Sequence, residues 1–80
     1  MTITTTKTIT VYSRPGCVQC TATYRALDRK GASYKVVDID QTPGAEELLR
    51  ELGYLQLPVV IVTGTWDGWC GFRPDCIDAL

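Results

Sequence analysis

The chain has 80 residues, four cysteines and no histidine, and its eight Lys or Arg nearly balance nine Asp or Glu. That length suits one small domain over residues 1–80. The charge balance leaves no basic surplus for a nucleic-acid backbone, and 45% apolar residues at a net charge of −1 argue against disorder.

The opening Met1 to Lys7 is mostly threonine and lacks the apolar core of a signal peptide. From Thr8 the pattern alternates, with Ile9, Val11 and Ser13 on one side, which predicts a strand ending near Ser13. Arg14-Pro15-Gly16 is a turn. A helix is expected from Cys17 to Lys30, because Cys20, Tyr24 and Leu27 share one face and Gly31 suits a C-cap. Tyr34 to Ile39 reads as a second strand. Thr42-Pro43 predicts the start of a second helix, with Thr42 as cap and Pro43 at the first helical position. Ala45, Leu48, Leu49 and Leu52 would form its apolar face, and Gly53 would close it.

Pro58 introduces a third strand, Val59 to Thr63, whose unbroken apolar run suits a buried central position. The run Leu57 to Val62 is six residues long, far short of the ~20 needed to cross a bilayer. Gly64 to Gly68 contains a turn, with Asp67-Gly68 as hairpin signal and Gly64 as its competitor. A short fourth strand, Trp69 to Gly71, and a final helix from Pro74 through Leu80 complete the chain. The order β-α-β-α-β-β-α implies an α/β fold with a four-stranded mixed sheet and three helices.

Four cysteines in 80 residues fall below the ~8–10% of a disulfide-dense secreted scaffold. A soluble protein of a reducing, cytoplasmic compartment is expected, where cysteines are more often catalytic or metal-bound. The missing histidine removes Cys-His and Ser-His hydrolytic chemistry and every zinc site that needs an imidazole.

Cys17-Val18-Gln19-Cys20 follows a strand and a Pro-Gly turn, at a helix start. Unpaired N–H groups and the helix dipole there favour a thiolate at Cys17, and Arg14 adds positive charge nearby. Cys20 lies one turn on along the same face. Cys17 can attack a partner's disulfide, and Cys20 can then resolve the mixed disulfide. The competing readings are inert packing cysteines and a zinc site that recruits Cys70 and Cys76, whose spacing is unusual for zinc.

Three patches, Cys17-Val18-Gln19-Cys20, Gln56-Leu57-Pro58-Val59-Val60 and Gly71-Phe72-Arg73-Pro74-Asp75, resemble the glutaredoxin branch of the thioredoxin superfamily, and within it the NrdH-type redoxins. The resemblance runs over nearly the whole chain from Thr8. It implies a thioredoxin-like fold and a monomeric electron carrier without a bound cofactor, working through the redox-active Cys17–Cys20 disulfide. It implies reduction by thioredoxin reductase rather than glutathione. The large subunit of class Ib ribonucleotide reductase is its implied client.

By the same resemblance Pro58 matches the family's cis-proline, and Leu57 pairs its backbone with an extended substrate segment. Arg14, Val18, Gln19, Leu57, Pro58, Trp69, Phe72 and Arg73 are the implied partner-binding residues. Pro74 has no N–H to offer a glutathione carboxylate at the start of the last helix, and Phe72 narrows the groove where glutaredoxins often have glycine. Trp66, Trp69 and Phe72 read equally as hot-spot aromatics or as hairpin packing. Relatives usually carry Ser at the position of Cys70. Cys70 and Cys76 would form a second disulfide if close enough, or act as small buried hydrophobes.

Overall fold

The structure is a computed structural model and describes residues 8–64 and 67–80. The elements are β1 (Thr8–Ser13), α1 (Val18–Lys30), β2 (Tyr34–Asp38), a 3-10 turn (Ile39–Gln41), α2 (Ala45–Glu51), β3 (Val59–Thr63), β4 (Asp67–Cys70) and α3 (Pro74–Asp78). They form one mixed four-stranded sheet in the order β2-β1-β3-β4. β1 is parallel to β2 and antiparallel to β3, and β4 is antiparallel to β3. The expected fold class and element order are therefore observed. Among the described residues no helix is long and apolar enough to cross a membrane.

β3 is central, and its continuous apolar run is explained by burial on both faces. Val60 and Val62 pack with Ile9, Val11, Leu27, Trp69 and Ile77, under α1 and α3. Val59 packs on the other face with Ile39, Ala45 and Leu49, under the 3-10 turn and α2. The alternation read in β1 appears in its burial, with Ile9, Val11 and Ser13 buried. Tyr24 of α1 stacks on Tyr34 of β2, ring centroids 5.9 Å apart. The Tyr34 hydroxyl donates to Asp28 Oδ1 at 2.9 Å. Burial, reinforced by that hydrogen bond to Asp28, raises the Tyr34 pKa.

Several boundaries differ from expectation, each for a local reason. β2 ends at Asp38, because its side chain accepts the Asp40 N–H at 2.9 Å and turns Ile39 inward as the start of the 3-10 turn. Thr42 does not cap α2. Its hydroxyl donates backward to the Asp38 carbonyl at 2.9 Å, and Gly44, at φ 82°, is the N-cap instead. Only the left-handed conformation that glycine tolerates turns the chain into α2 there. α2 has seven residues and buries only Ala45 and Leu49, one turn apart, while Leu48 and Leu52 stay exposed.

Asp67 and Gly68 are strand residues and not the hairpin tip, since they pair with Val62 and Ile61. β4 therefore starts earlier than expected and ends at Cys70, where Gly71 at φ 78° leaves the sheet. Gly64 lies in the turn at φ 109°. The last helix stops at Asp78, with Ala79 as its C-cap. Thr2 to Thr6 and Trp66 lie outside the described residues.

Leu27 is fully buried between α1 and the sheet. Leu27→Ala is expected to cost about 2–5 kcal/mol, read as a fall in the urea midpoint at unchanged slope. Tyr34 gives a pH signature. Its raised pKa means that the folded state favours the neutral phenol. The resulting stability is full below the unfolded pKa near ~10 and is lost as pH rises through the folded value. Tyr34→Phe is expected to flatten that alkaline loss in urea titrations.

Candidate active site

Gly16, at φ 80°, closes the turn after β1 and delivers Cys17 in an extended conformation as the N-cap of α1. The helix thus begins at Val18, one residue later than expected, and Cys17 serves as its cap. The Cys17 Sγ accepts the Cys20 N–H at 3.1 Å, the hydrogen bond that a capping oxygen usually takes. The Cys17 carbonyl accepts the Thr21 N–H at 3.1 Å. No acidic residue occupies the first turn of α1. A thiolate at Cys17 therefore meets an oriented N–H and the positive end of the dipole, with no acidic side chain in the helix's first turn; Asp38, from the end of β2, lines the cleft beside the two cysteines.

Cys17 and Cys20 are joined as a disulfide, with Cα atoms 5.2 Å apart. Cys17 is partly exposed and Cys20 is 2% exposed. The first cysteine is reachable from solvent and the second is enclosed. Beneath them, the Tyr24 hydroxyl donates to buried Ser13 Oγ at 2.5 Å, and both residues line a small cleft with the two cysteines. Tyr24, four positions after Cys20, was legible as a neighbour on the helix face. Its bond to Ser13 depends on how α1 sits on β1.

The other two sequence patches are fastened to this pair. The Leu57–Pro58 peptide bond is cis. Pro58 is buried, and its carbonyl accepts the Gly71 N–H at 2.8 Å. The Phe72 N–H donates to Gln19 Oε1 at 3.2 Å. Gln19, between the two cysteines, thus ties their loop to the Gly71-Phe72 loop, and Gly71 ties that loop to Pro58. Val18, next to Gln19 in sequence, is 83% exposed, and Phe72 is 39% exposed. Leu57 is partly buried against the core beneath α2.

Two expected residues differ from their expected roles. Trp69 is buried in the core with Val60 as its cross-strand partner, so its ring is not part of this surface. Arg14 lines the cleft beside the two cysteines, but its charge is shared. Its guanidinium pairs with Asp40 at 3.1 Å and Glu46 at 3.7 Å, which offsets the positive charge expected beside Cys17.

Arg73 pairs with Asp75 at 2.9 Å across the start of α3. The hydrogen bond from Arg73 holds the Asp75 carboxyl below the usual range, and the N–H groups of Asp75 and Cys76 reinforce it. Asp75 was not among the expected site residues. Its place directly after Pro74, in the first turn of a helix, was the available signal. Cys70 and Cys76 are both free. Cys70 packs with Val59 on one face of the sheet and Cys76 with Ile77 on the other. They form no second disulfide. Among the described residues, no three Cys, Asp or Glu side chains converge as a metal-ligand set.

Residues 9–66 match the glutaredoxin family. The chain is 47% identical over 72 residues to the glutaredoxin-like protein NrdH of Escherichia coli strain K12, covering 90% of this chain and 86% of that protein. The chain belongs to the glutaredoxin family, in its NrdH-redoxin branch. The solved structure of the E. coli NrdH-redoxin superposes with a TM-score of 0.85 at 46% identity, over 91% of this chain and 93% of that one. The glutaredoxin of Archaeoglobus fulgidus, at 23% identity, shares the fold with a TM-score of 0.70 over 90% of this chain and 83% of that one. The family and the Cys17–Cys20 pair identify a thiol–disulfide oxidoreductase with the thioredoxin-like fold.

Gly71 is the joint on which the tie depends. A Cβ at that position would lie 3.1 Å from Gln56 Oε1 and 3.4 Å from Gln19 Oε1, on a backbone at φ +78°. Gly71→Ala is expected to lower stability by at least about 1–2 kcal/mol, the cost of the left-handed conformation alone. Urea unfolding of the oxidised variant measures it.

Proposed function

We infer that the chain is a small dithiol electron carrier, reduced by thioredoxin reductase and reducing a protein disulfide. Class Ib ribonucleotide reductase is its proposed client. The carrying observation is the asymmetry of the pair: Cys17 is partly exposed with its sulfur at the helix start, and Cys20 is enclosed behind it.

In this reading the Cys17 thiolate attacks one sulfur of the client disulfide. A Cys17–client disulfide forms, and one client thiolate leaves to take a proton from water. Cys20 then loses its proton and attacks Cys17 Sγ. The Cys17–Cys20 disulfide forms, and the second client thiolate leaves. Two electrons have passed to the client, and a reductase dithiol returns two by the same exchanges. The client segment lies along Leu57 and Pro58, between Val18 and Phe72, with Gln19 and Arg73 as polar neighbours and Arg14 on the Leu57 side. Trp69 holds β4 from below.

Two features of the site support a protein reductant over glutathione. Pro74 stands at the first position of α3 and has no N–H. The ionised Asp75 carboxylate already occupies that helix start, and it repels an incoming carboxylate. The E. coli relative is a glutaredoxin-like protein with a thioredoxin-like activity profile, which supports the same reading here. We place the protein in the cytoplasm as a monomer, where thiols stay reduced.

Cys17→Ser is expected to reduce disulfide-reductase activity to background. Cys20→Ser is expected to accumulate a covalent Cys17–client species, visible on non-reducing gels. Wild-type protein is expected to turn over with NADPH and thioredoxin reductase but not with glutathione and glutathione reductase. Full activity of Cys17→Ser overturns the assignment of the nucleophile. Turnover with glutathione alone overturns the choice of reductant.

A further inference from the structure

The charges of this chain are separated in space. Among the described residues, the ion pairs use Arg14, Arg50 and Arg73 with Asp40, Glu46 and Asp75. None uses Arg25, Arg29 or Lys30, all exposed on α1. These three cations line a groove of about 520 Å³ between α1 and α3, with Ala22 and Ala26 also on its α1 wall and Phe72 and Pro74 across from them. Asp78 is the one acidic side chain in that lining, and Lys30 Nζ donates to its backbone carbonyl at 2.6 Å. On the opposite face of the sheet, the 3-10 turn and α2 carry Asp40, Glu46, Glu47 and Glu51; Arg14 and Arg50 pair with Asp40 and Glu46, and the face stays net acidic.

The groove is linked to the active site through Phe72. Phe72 lines it, and the Phe72 N–H is tied to Gln19 between the two cysteines. Arg25 and Arg29 lie one turn apart on α1. At ~1.5 Å per residue they stand about 12 and 18 Å along the helix from Cys17, or about four to six residues of extended chain.

We propose that this cationic groove docks an acidic segment of the client protein, with carboxylates about four to six residues from the cysteine under attack. The proposal rests on the dithiol reading above and adds the chemistry of the client. The small alanines let an extended backbone approach α1, Arg25 and Arg29 meet the carboxylates, and Phe72 covers the residues nearest the disulfide. The acidic face of α2 repels the same segment, so the field of the molecule orients its approach. Net charge contributes nothing to this attraction, since the whole chain carries −1.

The test uses pre-reduced full-length protein in single turnover, which needs no reductase. The substrates are synthetic peptides closed by one internal disulfide, identical except for Glu, Gln or Lys at the fourth to sixth positions beyond the cysteines. The neutral bis(2-hydroxyethyl) disulfide is the reference. At about 50 mM salt the Glu peptide is expected to react about tenfold faster than the Gln peptide, from two solvent-screened charge pairs. The advantage is expected to shrink several-fold at about 500 mM salt. Arg25→Ala with Arg29→Ala is expected to remove it while the neutral disulfide reacts at the wild-type rate. Arg25→Glu with Arg29→Glu is expected to prefer the Lys peptide. Equal rates for the Glu and Gln peptides at low salt overturn the groove, as does a Glu preference that survives both double variants. Failure of the wild type to reduce even the neutral disulfide overturns the dithiol reading and the proposal with it.

Discussion

β3 has to be buried on both faces, and the arrangement of the rest follows from that constraint. Its side chains are apolar in every position from Val59 to Val62, so covering one face leaves two valines or a Val–Ile pair in water. α1 and α3 cover Val60 and Val62, and α2 with the 3-10 turn covers Val59. Only a crossover that places α1 on one side and α2 on the other satisfies both. The antiparallel pairing of β1 with β3 sets Tyr12 opposite Val59. The exit of β1 and the entry of β3 therefore lie side by side at one end of the sheet. Cys17 follows the first and Pro58 precedes the second, so the packing of the core brings the two loops together.

The field at the nucleophilic end comes from the backbone more than from side chains. Arg14 is next to the turn in sequence, yet its charge is taken up by Asp40 and Glu46. What remains at Cys17 is the cap itself: an N–H aimed at the sulfur and the open end of a thirteen-residue helix. A similar economy appears at α3. There the negative charge at the helix start belongs to the protein's own Asp75, held by Arg73. One helix start is left for a sulfur anion, and the other is already occupied by a carboxylate.

Much of the fold and the core of the site was legible in the chain. β3 was read to the residue and β1 to its start and approximate end, because an alternating strand and a doubly buried strand have distinct apolar patterns. The Cys17–Cys20 pair was legible because a turn, a helix start and a three-residue spacing are all local features. Errors gathered where two local signals competed. Thr42-Pro43 looks like a helix start, but the Asp38 carbonyl takes the Thr42 hydroxyl and Gly44 makes the turn. Asp67-Gly68 looks like a hairpin tip, but pairing with Val62 and Ile61 draws both into the strand. Trp69 was divided between surface and core, and only the register with Val60 places it in the core.

The sequence by itself determined the element types and their order, the family, and the two cysteines that carry the chemistry. Each of these is written in patterns spanning a few residues, or in a match along the whole chain. Only the tertiary structure decided which side chains meet across long separations. Phe72 reaches Gln19 and Gly71 reaches Pro58, Arg14 pairs with Asp40, and Cys70 and Cys76 end on opposite faces. It also placed cations without an ion pair among the described residues along one groove of a chain whose net charge is −1. The physical reason is that such partnerships depend on helix placement over the sheet and on strand register. Many residues jointly set those quantities through burial, and no local pattern encodes them.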